Sequence, residues 1–134
     1  LLRFAQDLTF TRLGGTEPIE VDVRLICATN QNLQCAVEEE RFREDLYYRL
    51  AVMPLTLPPL RERPKDIEPF ARFFLRKHLH RHGRGPREIS DEAIELLRSQ
   101  QWPGNLRQLE NAIQRGLLMA HGDILQPDDL MLNG

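Results

Sequence analysis

Apolar positions in the first half of the chain predict a hairpin and then two strands that flank a helix. Apolar and polar residues alternate on both sides of Gly14-Gly15, a pattern typical of a β-hairpin. Residues 25–28 and 52–57 form short apolar runs, and helical spacing extends over 33–50 between them. The start of the chain, residues 1–5, also has helical spacing. A sheet of two parallel strands is only marginally stable, so we expect this strand–helix–strand unit to require further partners.

The second half of the chain predicts a helical bundle. Apolar residues from Ile67 to Leu79 recur at intervals of three and four, which predicts an amphipathic helix that ends at Gly83. Ser90 is expected to cap a second helix, and Asn105 a third that ends near Gly122. We expect the apolar residues of the tail to pack back onto the bundle; they are Ile124, Leu125 and Leu130.

Together these elements predict an α/β portion over residues 1–61, followed by an all-α portion over residues 62–134. The prolines at 58, 59 and 64 mark the change. With 134 residues, of which 41% are hydrophobic and 28% charged, the chain has the composition of an ordinary folded domain. It has no secretion signal, no apolar run long enough to span a bilayer and only two cysteines, so we expect a cytoplasmic protein without disulfides.

The charge distribution gives only a local reason to expect an anionic partner. The net charge is -2, which argues against a nucleic acid or an anionic membrane as the main partner of the whole chain. Between residues 61 and 87, however, there are nine basic residues and only three acidic ones. The sequence shows neither interleaved surface aromatics nor a recognition helix there, which favours a solvated face over a nucleic-acid-binding one.

Common catalytic and metal motifs are absent from the sequence. No glycine is followed by lysine, so the phosphate-binding loop G-x-x-x-x-G-K-[ST] is missing, and we expect no ATP hydrolysis by this chain alone. The four histidines lie far from both cysteines, which excludes a Cys/His pair close in sequence. His78 and His82 have the spacing of metal ligands, but no Glu or Cys lies nearby, and a basic helix end is the favoured reading.

Arg107 is the strongest candidate for an anion-binding residue. A cation in the first turn of a helix opposes the helix dipole unless an anion lies there. A helix N-terminus with an arginine suits a phosphate group. The alternative is an ion pair between Arg107 and Glu110, and the spacing alone leaves both readings open.

The other candidate functional residues also have simpler, purely structural explanations. Thr29 and Asn30 follow a predicted buried strand, at the edge where open α/β sheets bind ligands, although a turn or a helix cap at Asn30 is the favoured reading. Arg43 lies four residues after Glu39, and Arg49 four after Asp45, as in a salt-bridged, exposed helix.

Five segments, in order, resemble the AAA+ domain of sigma-54-dependent transcriptional activators, the bacterial enhancer-binding proteins. The segments are RLGGT (12–16), VDVRLICATN (21–30), RFREDLYYRL (41–50), LPPLRER (57–63) and WPGNLRQLEN (102–111). They cover essentially the whole chain. The resemblance begins after the family's Walker A and Walker B motifs, so it implies the later part of an AAA+ module, a partial α/β subdomain followed by a helical lid.

The resemblance also implies roles for individual residues. Thr29 and Asn30 match sensor I, and Arg107 matches sensor II on the lid. Arg43 and Arg49 match the pair of arginine fingers that act on the nucleotide of a neighbouring subunit. The hairpin matches the insertion that lies toward the central pore of the family's ring.

Cofactors and partners follow from the resemblance in the same way. It implies ATP and Mg²⁺ in a longer parent protein, a homo-oligomeric, hexameric ring, and an activator of a two-component system that acts on sigma-54 RNA polymerase. Enhancer DNA would be bound by a domain outside this chain, and no membrane would be involved. Two other readings remain open, a non-catalytic helical adaptor and a nucleic-acid-binding module.

Overall fold

The computed structural model describes residues 2–132 and divides the chain into two compact units. The N-terminal unit is Leu1–Thr56 and the C-terminal unit is Leu57–Gly134. The domain boundary placed at residue 61 from the sequence stays a prediction. Across the described residues, no helix combines the length and the apolar character that crossing a membrane requires.

Within residues 2–56, the N-terminal unit forms three short helices and one hairpin. They are α1 (Leu2–Asp7), β1 (Thr9–Thr11), β2 (Pro18–Glu20), α2 (Leu33–Glu38) and α3 (Glu44–Leu50). The two strands are antiparallel, with Phe10 opposite Ile19, which confirms the predicted hairpin. The helix expected at the start of the chain is also present over residues 2–7, while Leu1 lies outside the described residues.

The two strands predicted at residues 25–28 and 52–57 are not formed, and that prediction was wrong for this chain. Within residues 2–132, the paired strands are β1 with β2 and, in the other unit, β3 with β4. A strand exists only where a neighbour takes up its backbone hydrogen bonds. Neither segment has such a neighbour, and their apolar side chains lie in solvent, with Ile26 82% and Leu55 83% exposed.

The single helix predicted over 33–50 is also wrong, because the segment forms two helices. Asn32 caps α2, and its Oδ1 accepts hydrogen bonds from the backbone N–H groups of Gln34 and Cys35. After α2 the backbone turns out of the helical path at Glu40, whose φ is +56°. The chain enters α3 only at Glu44, so residues on either side of the turn no longer share one helical face.

The C-terminal unit is the predicted helical bundle. Its helices are α4 (Pro64–His82), α5 (Asp91–Ser99) and α6 (Asn105–Met119). Two short strands, β3 (Glu88–Ile89) and β4 (Ile124–Leu125), pair in parallel, and short 3₁₀ turns lie at Leu60–Glu62 and Asp128–Leu130. The fold class predicted from the sequence, mixed α/β followed by a helical bundle, is confirmed.

Capping residues explain where these helices start and stop. Gly83 ends α4 in a left-handed conformation with a φ of +73°, which glycine adopts without steric cost. The Ser90 hydroxyl accepts a hydrogen bond from the N–H of Ala93 at 3.2 Å, as predicted for the cap of α5. Helix α6 ends at Met119, slightly before the predicted end.

A continuous apolar core holds the three helices of the C-terminal unit together. Its buried residues are Leu60, Ile67, Ala71, Phe74, Leu75, Ile89, Ala93, Ile94, Leu97, Trp102, Leu109, Ala112, Ile113, Leu117, Leu125 and Leu130. The tail contributes Leu125 and Leu130, which confirms that it packs back, although Ile124 is 44% exposed. Gly116 makes this packing possible, since a Cβ there would lie 3.0 Å from a Leu125 methyl group.

Candidate functional site

The turn before α6 is built around a buried tryptophan. Trp102 is 1% exposed, and its indole N–H donates a hydrogen bond to the carbonyl oxygen of Leu97 at 2.7 Å. Trp102 and Asn105 both have a φ of +49°, which is rare for residues other than glycine. Such conformations persist only where surrounding contacts impose them, and they concentrate at functional sites. The buried indole therefore fixes a strained turn that sets where α6 begins.

Asn105 is not the N-cap of α6, which corrects the prediction. Gly104 occupies the cap position, and its backbone N–H donates to Oε1 of Gln108 at 2.9 Å. The Asn105 side chain instead accepts a hydrogen bond from the backbone N–H of Leu60 at 2.8 Å. The start of α6 is thus tied to the 3₁₀ turn at Leu60–Glu62.

This link between two of the sequence motifs was missed by sequence reasoning. Pro58 and Pro59 have no N–H, so Leu60 carries the first backbone donor after them, and Leu60 is fully buried. A buried donor needs a partner. The two prolines were visible in the sequence, but neither the burial of Leu60 nor its partner, 45 residues away, was.

Arg107 lies in the first turn of α6 and is exposed. No ion pair or hydrogen bond of its side chain is found within residues 2–132. Helix α6 has no acidic residue in its first turn either, so nothing local offsets the unfavourable placement of this cation. The geometry leaves the guanidinium free to bind an anion.

Glu110, the alternative partner of Arg107, is bound elsewhere. Its Oε1 accepts a hydrogen bond from Lys77 Nζ at 2.7 Å and lies 3.2 Å from Nε2 of His78. The hydrogen bond from Lys77 lowers the pKa of Glu110 below its ordinary value, against the opposing effect of desolvation. These contacts join α4 to α6, and the Arg107–Glu110 ion pair is not formed.

Arg43 is paired, but not with the carboxylate that its spacing suggested. Its guanidinium binds Asp45 through two hydrogen bonds, at 3.1 Å from Nε and 2.8 Å from Nη2. The hydrogen bond to Asp45 raises the pKa of Arg43, and that from Arg43 lowers the pKa of Asp45. Glu39 pairs with Arg41 instead, because the turn at Glu40 separates residues 39 and 43.

Arg49 lies in the last turn of α3, where a cation stabilises the helix dipole. It is exposed, and the predicted ion pair with Asp45 is not formed because Asp45 binds Arg43. The two arginines therefore differ: Arg43 is held by a carboxylate at the start of α3, whereas Arg49 has no ion-pair partner in the part of the chain that the structure describes.

Thr29 and Asn30 lie in an exposed segment that leads into α2. The Thr29 hydroxyl accepts a hydrogen bond from the N–H of Gln31 at 3.1 Å, which closes a small turn. Asn30 neither caps α2, a role taken by Asn32, nor forms a hydrogen bond to Arg43 or Arg49 within residues 2–132. The four N-terminal candidates thus share a unit without contacts that join them into one site.

The histidine pair does not form a metal site in the structure. His78 is buried at 4% exposure, with Nε2 directed to Glu110. Residues 2–132 contain no group of three or more His, Cys, Asp or Glu side chains arranged to hold a metal ion.

Two family models match the chain, one after the other. The sigma-54 interaction domain matches residues 1–56, and the AAA+ ATPase lid domain matches residues 61–133. The second match covers more than half of the chain and coincides with the helical unit.

Curated relatives match over nearly the full chain. The response regulator protein FleR of Pseudomonas aeruginosa is 48% identical over 132 residues, which are 98% of this chain and 28% of FleR. The nitrogen fixation protein AnfA of Azotobacter vinelandii is 45% identical over 130 residues, 97% of this chain and 24% of AnfA. The chain thus spans about a quarter of the length of these relatives.

Solved structures show the same fold. NtrX from Brucella abortus, crystallised in complex with ADP, superposes with a TM-score of 0.85 at 40% identity, over 98% of this chain and 31% of NtrX. A second NtrX structure, in complex with ATP, gives a TM-score of 0.84. By these matches the chain belongs to the AAA+ ATPases of the sigma-54-dependent transcriptional activators, and it comprises part of the sigma-54 interaction domain together with the lid.

Proposed function

We propose that this chain supplies the sensor, arginine-finger and lid residues of an ATP-driven remodeller of sigma-54 RNA polymerase. Arg107 acts as sensor II, Thr29 and Asn30 as sensor I, and Arg43 and Arg49 as arginine fingers toward a neighbouring subunit. The working protein is a cytoplasmic, hexameric ring of a two-component system, bound to enhancer DNA through a separate domain. The chain alone does not hydrolyse ATP, because it lacks the phosphate-binding loop.

The observation that carries this proposal is the unneutralised Arg107 at the start of α6. Its nearest acidic candidate, Glu110, is already bound by Lys77 and His78. A helix N-terminus adds the positive end of its dipole and free N–H groups to the guanidinium charge. This combination fits the phosphates of ATP, and crystals of the relative NtrX contain ADP or ATP.

The fingers and the lid have separate parts in this proposal. ATP with Mg²⁺ supplies the transferable phosphoryl group. Arg107 binds phosphate oxygens from the lid, and the buried Trp102 and the Asn105–Leu60 hydrogen bond keep α6 oriented for it. Arg43 and Arg49 add positive charge where negative charge develops, an effect worth about 10³–10⁵ in rate in other phosphoryl-transfer enzymes. Asp45 orients Arg43 until such a phosphate competes for it.

A chimera of FleR tests the proposal. The matching segment of FleR is replaced by this chain, and ATP turnover and nucleotide affinity are measured. Arg43→Ala or Arg49→Ala should lower turnover by at least about 10³-fold while nucleotide affinity stays within about twofold. Arg107→Ala should weaken nucleotide affinity or its coupling to turnover.

Two arginines of the same chain serve as matched controls. Arg41 lies beside Arg43 and pairs with Glu39, and Arg115 is exposed on the same helix as Arg107. Arg41→Ala and Arg115→Ala should leave turnover within about twofold. Near-normal turnover in both finger variants, together with unchanged nucleotide affinity and unchanged turnover in Arg107→Ala, would contradict the proposal and favour a helical adaptor.

A further inference from the structure

The second half of α4 and the loop after it form a basic surface with no acidic residue of its own, although Glu68 and Glu110 lie against it. The 19 residues 69–87 contain six Arg or Lys and three His but no Asp or Glu. Two of the six have acidic partners, since Arg72 binds Glu68 and Lys77 binds Glu110. The other four are exposed and form no ion pair within residues 2–132; they are Arg76, Arg81, Arg84 and Arg87.

An aromatic ring lies within this basic surface. Phe73 is 51% exposed, and helical geometry places Arg76 and Lys77 one turn further along the same face. The ring has an edge-to-face contact with Phe74, at 5.5 Å between centroids, which holds it from one side. The sequence favoured a solvated face because it showed neither surface aromatics nor a recognition helix, and the exposure of Phe73 removes the first of these two reasons.

A protein partner fits this surface less well than a polyanion does. A protein interface has an apolar centre from which charged residues are depleted. Here the cations from Arg72 to Arg81 span about 14 Å along the axis of α4 and continue into the loop, without an acidic residue in the segment. Arginine binds phosphate through its planar fork, and an exposed aromatic ring offers a face on which an unpaired base can stack. Duplex DNA would use the cations but not the ring.

From this surface we infer that the lid binds single-stranded nucleic acid along α4. Backbone phosphates contact Arg76, Arg81 and Arg84, and one base stacks on Phe73. The contact is independent of sequence and sensitive to salt. The contact does not involve the residues proposed for nucleotide sensing, so the two proposals can be tested independently.

The test is a titration of the 134-residue chain against fluorescein-labelled oligothymidine of 12 nucleotides, followed by anisotropy at several salt concentrations. Arg76→Gln/Arg81→Gln/Arg84→Gln should weaken binding at 50 mM salt at least tenfold and flatten the slope of log K against log salt by about 2. The matched control Arg3→Gln/Arg12→Gln/Arg24→Gln removes the same charge from exposed arginines of the N-terminal unit and should change binding by less than about twofold.

The aromatic contact has its own variants. Phe73→Ala should weaken binding about fivefold or more without changing the salt slope, and Phe73→Tyr should retain binding. Circular dichroism verifies that each variant is folded.

Three outcomes would overturn the inference. One is the absence of saturable oligothymidine binding at 50 mM salt. Another is a loss of oligothymidine affinity in the N-terminal control variant that equals the loss in the α4 variant. The third concerns the matching duplex and polyglutamate of equal charge. If either binds at least as tightly as oligothymidine, and if Phe73→Ala does not weaken that binding, the surface is a general one for polyanions or acidic proteins.

Discussion

The N-terminal unit is the more apolar of the two in sequence, yet it buries far fewer of its apolar side chains. In residues 57–132, sixteen apolar residues from helices, strands and tail form one core. In residues 2–56, Ala36 is the one apolar side chain that is buried. The apolar residues of the N-terminal unit lie at the surface instead, with Leu13, Ile26, Val52 and Met53 each more than 80% exposed.

The difference shows what an apolar pattern does and does not specify. In the C-terminal unit the apolar faces of helices α4, α5 and α6 pack against one another and form a shared core. In the N-terminal unit, residues 25–28 and 52–57 have the composition of buried strands, but the unit provides no neighbouring strand for them. An apolar composition indicates that a segment is suited to burial. Whether the segment forms a buried strand depends on whether a neighbouring element is present to pack and pair with it.

The largest expected effect is in the C-terminal core. Trp102→Ala removes a side chain that is 1% exposed and leaves the Leu97 carbonyl without its indole donor. We expect the free energy of unfolding to fall by about 3–5 kcal/mol. Urea denaturation followed by circular dichroism measures it. A loss below about 1 kcal/mol would contradict the view that this unit depends on its own core.

A smaller effect is expected where the two motifs of the C-terminal unit meet. Asn105→Gly leaves the buried N–H of Leu60 without an acceptor, at a cost of about 1–3 kcal/mol. Glycine tolerates the φ of +49° at this position, whereas alanine does not, so Asn105→Ala should cost about 1 kcal/mol more. Equal stability of wild type and Asn105→Gly in urea denaturation would show that the hydrogen bond contributes nothing.

Particular residues show how far sequence reasoning extends into this structure. The cap at Ser90 and the αL end at Gly83 are local, and both were predicted because their partners lie within a few residues. Asn105 was misassigned because its partner, Leu60, is distant in sequence. The pairing of Arg43 was misassigned because one residue, Glu40, leaves the helical path and changes which carboxylate is near.

The candidate site shows the same contrast between what the sequence predicts and what it does not. The candidate residues were selected from motifs, and the structure determines only their surroundings, such as the missing partner of Arg107. Their roles depend on groups outside the chain and stay predictions.

The Glu110 contacts predict a modest effect of pH on the C-terminal unit. Because the pKa of Glu110 is lowered in the folded state, its stabilising effect is present above the unfolded value of about 4.5 and is lost as pH falls through the folded pKa. We expect Glu110→Gln to destabilise the chain by about 0.5–1 kcal/mol at pH 7. The difference from wild type should shrink as the pH of the urea denaturation is lowered below about 4.5. A difference that is independent of pH would mean that the carboxylate charge is not involved.

The smallest effect is expected in the N-terminal unit, and it tests the comparison most directly. Leu55→Ser changes a side chain that is 83% exposed, so the free energy of unfolding should stay within about 0.5 kcal/mol of wild type. Leu97→Ser provides the matched substitution at a fully buried position of the C-terminal unit, and there the loss should exceed about 2 kcal/mol. Leu55→Ser should also reduce the binding of a hydrophobic dye, because it removes part of an exposed apolar surface. If Leu55→Ser instead destabilises the chain as strongly as Leu97→Ser does, residue 55 is packed in solution, and the two units do not differ in the way described.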